Sequence, residues 1–241
     1  MRTTLIALCC FAIGCGGDDG GGGGPDGGFM DAPPNVPAMI TISGEATKRE
    51  GAGAATPAEG VMVAAYKNSD PNTPIATATT DAAGLYTLTV TTNGQPLDGY
   101  LKSTLAGFLD TYLYPPRPLV ENFDGASLNI INQSSLDLLN TLCQNSQDPA
   151  NAVIAVLVVD ATDTAVGGAA VASTPASGDY CYNADSGFPG GDTATNTDGI
   201  AYMLNVPAGN VMVSATKSGT TFRSHTVTAR VDALTTTVIQ P

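Results

Sequence analysis

Short runs of alternating apolar and polar residues recur from residue 38 to the end of the chain. Clear examples are the runs at 39–43 (MITIS), 61–66 (VMVAAY) and 85–90 (LYTLTV), each bounded by Gly, Pro, Asp or Asn. The run at 152–159 (AVIAVLVV) is almost wholly apolar and predicts a well-buried strand. Alternation with a period of two predicts strands with one buried and one solvated face. The pattern therefore predicts an all-β fold built from sandwiches.

Several short motifs occur twice along the chain, in the same order. The paired segments are 60–63 with 168–171, 80–86 with 195–201, and 96–100 with 207–211. The second pair combines Asp or Asn with Gly, which predicts a tight turn because Gly tolerates positive φ and Asp or Asn bonds its own backbone. We predict two tandem copies of one β-sandwich module, 38–122 and 150–241. Each has about 90 residues, enough for a small core.

The motifs of the second module resemble those of the carboxypeptidase regulatory-like domain. They are 165–171 (AVGGAAV), 195–199 (TNTDG) and 205–209 (NVPAG), and the first module retains TDAAG at 80–84. The resemblance implies a transthyretin-like Greek-key β-sandwich, a domain often appended to secreted or surface proteins. It implies no peptidase activity, because the peptidase part of such proteins is not in this chain.

Residues 123–149 differ from both modules and predict a connector that contains a short helix at 135–145. Residues 134–137 (SSLD) are similar to a capping box. Apolar residues near one helical face would pack on one of the sandwiches; they are Leu128, Ile131, Leu138, Leu139 and Leu142. Residues 114–118 (YPPRP) are expected to be extended, as a rigid strand exit or a recognition segment.

The first 14 residues have the layout of a signal peptide, with Arg2 ahead of a short apolar run at 5–13. That run is too short for a transmembrane helix. Residues 12–15 (AIGC) resemble the lipobox of bacterial lipoproteins, which implies that Cys15 is diacylated and becomes the mature N-terminus. Residues 15–37 are rich in Gly, Asp and Pro and predict a disordered tether. The absence of Asp after the cysteine favours the outer membrane in that family. The alternative is a secretory signal cleaved nearby, without a lipid.

Five cysteines are present, and three of them lie at positions 9, 10 and 15. Removal of the signal peptide and lipidation of Cys15 would leave Cys143 and Cys181. In an oxidising compartment these two predict a disulfide. The alternative is a pair of free thiols too far apart to bridge.

Charge and composition exclude several classes of function. The chain has 22 acidic and 9 basic residues, a net charge of −13, and no basic cluster, which argues against nucleic acid binding. It has one histidine, His225, too few for a zinc site. Ser224 and His225 are neighbours on a predicted strand and would point to opposite faces, so they are badly placed to share a proton. We expect no enzyme activity, no catalytic residues and no cofactor.

A long loop at 173–198 is the one predicted candidate for a ligand site. Its carboxylates Asp179, Asp185, Asp192 and Asp198 are candidate calcium ligands, although a solvated, turn-rich loop is the favoured explanation for them. Tyr180 and Tyr182 could form a small platform for carbohydrate. We therefore expect a non-catalytic, lipid-anchored cell-envelope protein with a structural or ligand-presenting role. Its possible partners are the membrane, an envelope protein or a glycan.

Overall fold

The computed structural model describes residues 35–241, and this part of the chain is all-β with one short helix. The predicted signal peptide, Cys15 and nearly all of the predicted tether lie outside the described residues. The strands of the first half are β1 (Met39–Arg49), β2 (Thr56–Pro57), β3 (Met62–Lys67), β4 (Ala76–Thr79), β5 (Leu85–Thr91), β6 (Gly99–Thr104), β7 (Asp110–Tyr114), β8 (Phe123–Asp124) and β9 (Leu128–Ile131).

The second half begins after helix α1 (Gln133–Leu142). Its strands are β10 (Asn151–Val158), β11 (Ala170–Thr174), β12 (Asp179–Asn183), β13 (Pro189–Gly190), β14 (Ile200–Pro207), β15 (Gly209–Lys217), β16 (Thr220–Thr221), β17 (His225–Ala229) and β18 (Ala233–Ile239).

The first half forms two layers of sheet around a core of its own. One layer has the order β2-β1-β5, with β8 and β9 parallel to β1, and the other has the order β4-β3-β6-β7. The alternation along β5 explains the packing, because Tyr86, Leu88 and Val90 are buried while the residues between them are exposed.

The second half repeats this plan. The order β13-β12-β14-β10-β18 forms one layer, and β11-β15-β16 with β17 on β15 forms the other. The central strand β10 pairs with β14 and β18 on its two sides. It carries the apolar run noted in the sequence, and Ile154, Val156 and Val158 lie fully inside the second core.

One continuous sheet joins the two halves. Strand β7 of the first half pairs in parallel with β18 of the second, from Asp110 opposite Ala233 to Tyr114 opposite Thr237. The result is a nine-stranded sheet that runs through both sandwiches. The halves are therefore joined by main-chain pairing as well as by the predicted connector.

The two smaller sheets lie on opposite faces of this long sheet. Neighbouring residues on a strand point to opposite faces. On β6, Tyr100 belongs to the second core and Leu101 to the first. On β7, Tyr112 packs in the second core and Leu113 against the first. The first half thus contributes side chains to both cores.

The predicted connector contains strands as well as a helix. Phe123 lies opposite Ile42, and Leu128 opposite Ala46, in parallel pairs with β1. The assignment of Leu128 and Ile131 to a helical face was wrong, because both lie on β9. Their spacing of three residues matches a helix, but buried Leu128 and Ile130 alternate with exposed Asn129 as in a strand.

Helix α1 begins two residues earlier than predicted. Its N-cap is Asn132, whose Oδ1 accepts the backbone N–H of Ser135 at 3.0 Å, so the expected capping box at 134–137 was wrong. Ser135 is buried and donates to the backbone oxygen of Arg49 at 3.0 Å. Leu136 and Leu139 pack on the long sheet, on the face opposite the second core.

The repeated turn is built by the same hydrogen bonds in both halves. The hydroxyl of Thr80 donates to the backbone oxygen of Ala58 at 2.5 Å, and that of Thr195 donates to Val166 at 2.6 Å. Each hydroxyl also accepts a backbone N–H, at 2.9 and 3.0 Å respectively. Both threonines are buried, which explains why the motif starts with this residue type in each half.

Each repeated turn ends at a glycine with a left-handed backbone. Gly84 has φ of 78° and Gly199 has φ of 69°. A Cβ on Gly84 would lie 2.4 Å from the backbone oxygen of Ala46, and one on Gly199 would lie 2.5 Å from that of Val158. These two positions require glycine for both conformation and space.

Candidate functional site

A cluster of tyrosines and one arginine lies where the two halves meet. The rings of Tyr66 and Tyr100 stack with centroids 5.5 Å apart, and those of Tyr100 and Tyr114 at 4.9 Å. The guanidinium of Arg230, which follows β17, lies 3.9 Å from the ring centroid of Tyr112 and 5.0 Å from that of Tyr100. We call these five residues the junction cluster.

Hydrogen bonds hold Arg230 in the junction cluster. Its Nη1 donates to the hydroxyl of Tyr114 and to the backbone oxygen of Thr228, both at 2.9 Å. Aromatic faces and oxygen acceptors offset the cost of removing the guanidinium from water. Burial raises the pKa of Tyr100, and the nearby positive charge of Arg230 opposes that rise. The cluster therefore ties an arginine of the second half to tyrosines of the first.

A cleft of about 230 Å³ also lies between the halves, where β7 ends. The segment 115–118 leaves β7 here and forms one wall, so it is a strand exit as its prolines predict. Both halves contribute to the lining, which consists of Asn68, Asp98, Gly99, Tyr114, Pro115, Pro116, Arg117, Pro118, His225 and Thr226.

The Thr237 hydroxyl links His225 to strand β7. Its oxygen lies 2.7 Å from His225 Nε2 and 3.0 Å from the backbone oxygen of Tyr114. The tautomer of the ring decides whether Nε2 donates to this hydroxyl or accepts from it. The Nδ1 is buried and has no partner within residues 35–241. Burial lowers the pKa of His225 below 6.5, which favours the neutral ring.

An asparagine–aspartate pair also lines the cleft. Asn68 Nδ2 donates to Asp98 Oδ1 at 2.7 Å, and the backbone N–H of Asn68 donates to the Asp98 carbonyl at 3.1 Å. These two bonds hold the Asp98 carboxylate in place while it remains exposed. No local motif of the sequence predicts the cleft. A proline-rich segment and a lone histidine do not indicate a cavity. The two come close together only because β7 pairs with β18.

The four predicted calcium ligands do not converge. Asp179 accepts the backbone N–H of the next residue, and Asp185 and Asp198 accept from asparagine side chains. Within residues 35–241, no three His, Cys, Asp or Glu side chains are grouped so that they could hold a metal. The geometry thus gives no support to the calcium hypothesis for Asp179, Asp185, Asp192 and Asp198.

The predicted tyrosine platform is not an exposed surface. Tyr182 is 3% exposed, packs in the second core, and accepts the backbone N–H of Val171 at 3.1 Å. Tyr180 is half-buried, with its hydroxyl 3.2 Å from both the backbone nitrogen and the Oγ of Ser173. Burial opposes ionisation of Tyr180, but hydrogen bonds from Ser173 and Ser177 outweigh it and lower its pKa. Both hydroxyls stabilise the β11–β12 connection.

The predicted disulfide between Cys143 and Cys181 is confirmed. It joins the residue after α1 to β12, and so fastens the helix to the nine-stranded sheet. The bridge lies beside Leu136, Leu139 and Leu204 in the cluster under the helix.

Helix α1, the only helix in residues 35–241, is ten residues long. No helix in that part of the chain is long and apolar enough to cross a membrane.

Comparisons with known proteins give no family. No family model matches the chain, and no curated protein matches it. Among solved structures, the chain is similar to the TIE protein of Bacillus anthracis, with 14% identity, a TM-score of 0.27, and coverage of 83% of this chain and 34% of that one. It therefore spans about a third of the length of that protein.

Two pilins also match over most of their length. The shaft pilin SpaA of Lactobacillus rhamnosus GG has 11% identity and a TM-score of 0.25, with coverage of 84% of this chain and 98% of that one. The minor pilin GBS52 of Streptococcus agalactiae has 10% identity and a TM-score of 0.28, with coverage of 83% and 94%.

Proposed function

We propose that this chain is a non-catalytic, lipid-anchored protein of the cell envelope. In this proposal its two β-sandwiches act as one rigid unit that has a structural or ligand-presenting role. The observation that carries the structural role is the nine-stranded sheet shared by both halves. Relative motion of the two sandwiches would break the five residue pairs between β7 and β18 and separate Arg230 from its tyrosines.

The two halves are proposed to be tandem copies of a Greek-key sandwich of the carboxypeptidase regulatory-like type. The matching hydrogen bonds of Thr80 and Thr195 support a common plan. So do the matching strand pairs, since β9 lies parallel to β1 and β18 parallel to β10.

The lipid anchor rests on the sequence AIGC at 12–15 and on the Gly-rich segment after it. In the proposal, the diacylated Cys15 holds the protein on a membrane, with the outer membrane as the proposed location. In the same proposal, the predicted tether lets the rigid unit reach an envelope protein or a glycan.

Intact mass spectrometry of the protein from the membrane fraction tests the anchor. We expect a chain that begins at Cys15 and carries acyl groups. Cys15→Ser should abolish acylation. Cys10→Ser is the matched control, because Cys10 lies in the predicted signal peptide, and it should leave the mass of the mature protein unchanged. An unacylated wild-type protein, or acylation that survives Cys15→Ser, would refute the anchor.

A further inference from the structure

We infer that the cleft between the two halves binds a small uncharged polyhydroxyl ligand of the size of one sugar unit. Its walls come from both halves, at the kind of interface where ligand sites concentrate. This inference rests on the proposed ligand-presenting role, but not on the lipid anchor.

The balance of charge in the cleft favours an uncharged ligand. Arg117 and Asp98 both line it, both are exposed, and neither takes part in a salt bridge. Lys102 and Asp110 form the only salt bridge found in residues 35–241. One positive and one negative group therefore offer donors and acceptors without a net charge to attract an ion.

His225 also lines the cleft, and its Nδ1 is buried without a partner in the described part of the chain. An unpaired buried polar atom is costly. This atom exposes almost no surface, so a ligand hydroxyl would reach it only after the ring turns toward the cleft, and the new hydrogen bond would remove that cost. Hydroxyl groups both donate and accept, so they suit a site where an imidazole (His225), a carboxylate (Asp98) and a guanidinium (Arg117) line the same cleft.

The size and apolar walls of the cleft fit the same class of ligand. Its volume of about 230 Å³ is below the roughly 300–1,000 Å³ of sites for drug-sized molecules, so it suits one small molecule. Pro115 and Pro116 provide apolar surface for the C–H groups that alternate with hydroxyls on a sugar ring.

The single histidine makes the test specific, because its imidazole signals in an NMR spectrum come from the cleft alone. The full mature protein is titrated with glucose, with N-acetylglucosamine, and with glycine as a zwitterionic control. We expect saturable shifts of the His225 signals with at least one sugar, with a dissociation constant on the order of 1 mM, and no saturable shift with glycine.

Variants locate the binding. Arg117→Gln and Asp98→Asn should each raise the dissociation constant for the sugar at least about tenfold. The Asp98→Asn side chain retains an oxygen that can accept the bond from Asn68. Arg223→Gln and Asp70→Asn, at exposed positions outside the cleft lining, are the matched controls and should leave the affinity unchanged. No saturable shift with either sugar, saturation by glycine instead, or undiminished binding in both cleft variants would overturn the inference. None of these results bears on acylation, so failure here is distinguishable from failure of the anchor.

Discussion

Replacement of Arg230 by methionine should lower the stability of both sandwiches together rather than of one half. Methionine retains an apolar chain but loses the cation–π interaction with the tyrosine faces, which is worth about 1 kcal/mol at a partly buried site. It also leaves the Tyr114 hydroxyl without its partner, which costs about 1 kcal/mol more. Thr228 loses less, because its oxygen also accepts from the Thr235 hydroxyl at 3.2 Å. The expected loss in free energy of unfolding is therefore about 2 kcal/mol, or roughly 4–8 °C in Tm for a chain of this size.

Tyrosine signals report this change directly. The chain has no Trp and 8 Tyr, and four of these, Tyr66, Tyr100, Tyr112 and Tyr114, belong to the junction cluster. Near-ultraviolet circular dichroism therefore follows the junction, while far-ultraviolet circular dichroism follows all strands. We expect both signals to change in one coincident transition in the wild type and at a lower midpoint in Arg230→Met. Exposed Arg223→Met is the control. A shift below about 0.5 kcal/mol, or two separate transitions in the wild type, would refute the coupling of the halves.

Three further changes test the disulfide, the repeated turn and the histidine. Cys143→Ser should lower the free energy of unfolding by up to about 4 kcal/mol, since the bridge to Cys181 closes a 38-residue loop, and added reductant should then have no further effect in denaturant titrations. Gly199→Ala should lower Tm by several degrees more than Gly219→Ala, because both glycines have positive φ but only the first would place a Cβ 2.5 Å from a backbone oxygen. His225 has a lowered pKa in the fold, so the unfolded chain binds the proton more readily; stability should be highest above pH 6.5 and fall as the pH drops through 6.5, and His225→Gln should remove that slope. An unchanged slope in the Gln variant would show that other groups cause it.

The sequence predicts the strands of this fold better than their pairing. Alternation identified β1, β3 and β5, and the apolar run identified β10, because the side-chain period is a local property. The disulfide followed from counting cysteines. Strand β9 was assigned to the connector, since four residues are too few to separate a period of two from a spacing of three.

The junction could not be predicted, because nothing local records that β7 pairs with β18 across more than 100 residues. Tyr112 and Tyr114 alternate as on any half-buried strand, and the sequence does not show that Arg230 lies over them. Two tyrosines of the predicted ligand loop illustrate the same limit. Tyr180 and Tyr182 were expected to form a platform on a loop, yet both lie on strand β12 and the ring of Tyr182 packs in the core.

The junction cluster and the cleft are expected to act together. The cleft takes Asp98 and Arg117 from the first half and His225 from the second, so it is complete only while β7 and β18 are paired. A ligand that binds only the paired state must stabilise it, by an amount that grows with the ratio of ligand concentration to Kd. By the same linkage, a change that loosens the junction reduces the fraction of molecules able to bind and weakens the apparent affinity in proportion. Arg230 lies outside the cleft lining but holds the hydroxyl of Tyr114, which belongs to that lining. Arg230→Met should therefore reduce sugar affinity by loosening both the junction and Tyr114, whereas Arg117→Gln should reduce it in a chain that still unfolds as one unit.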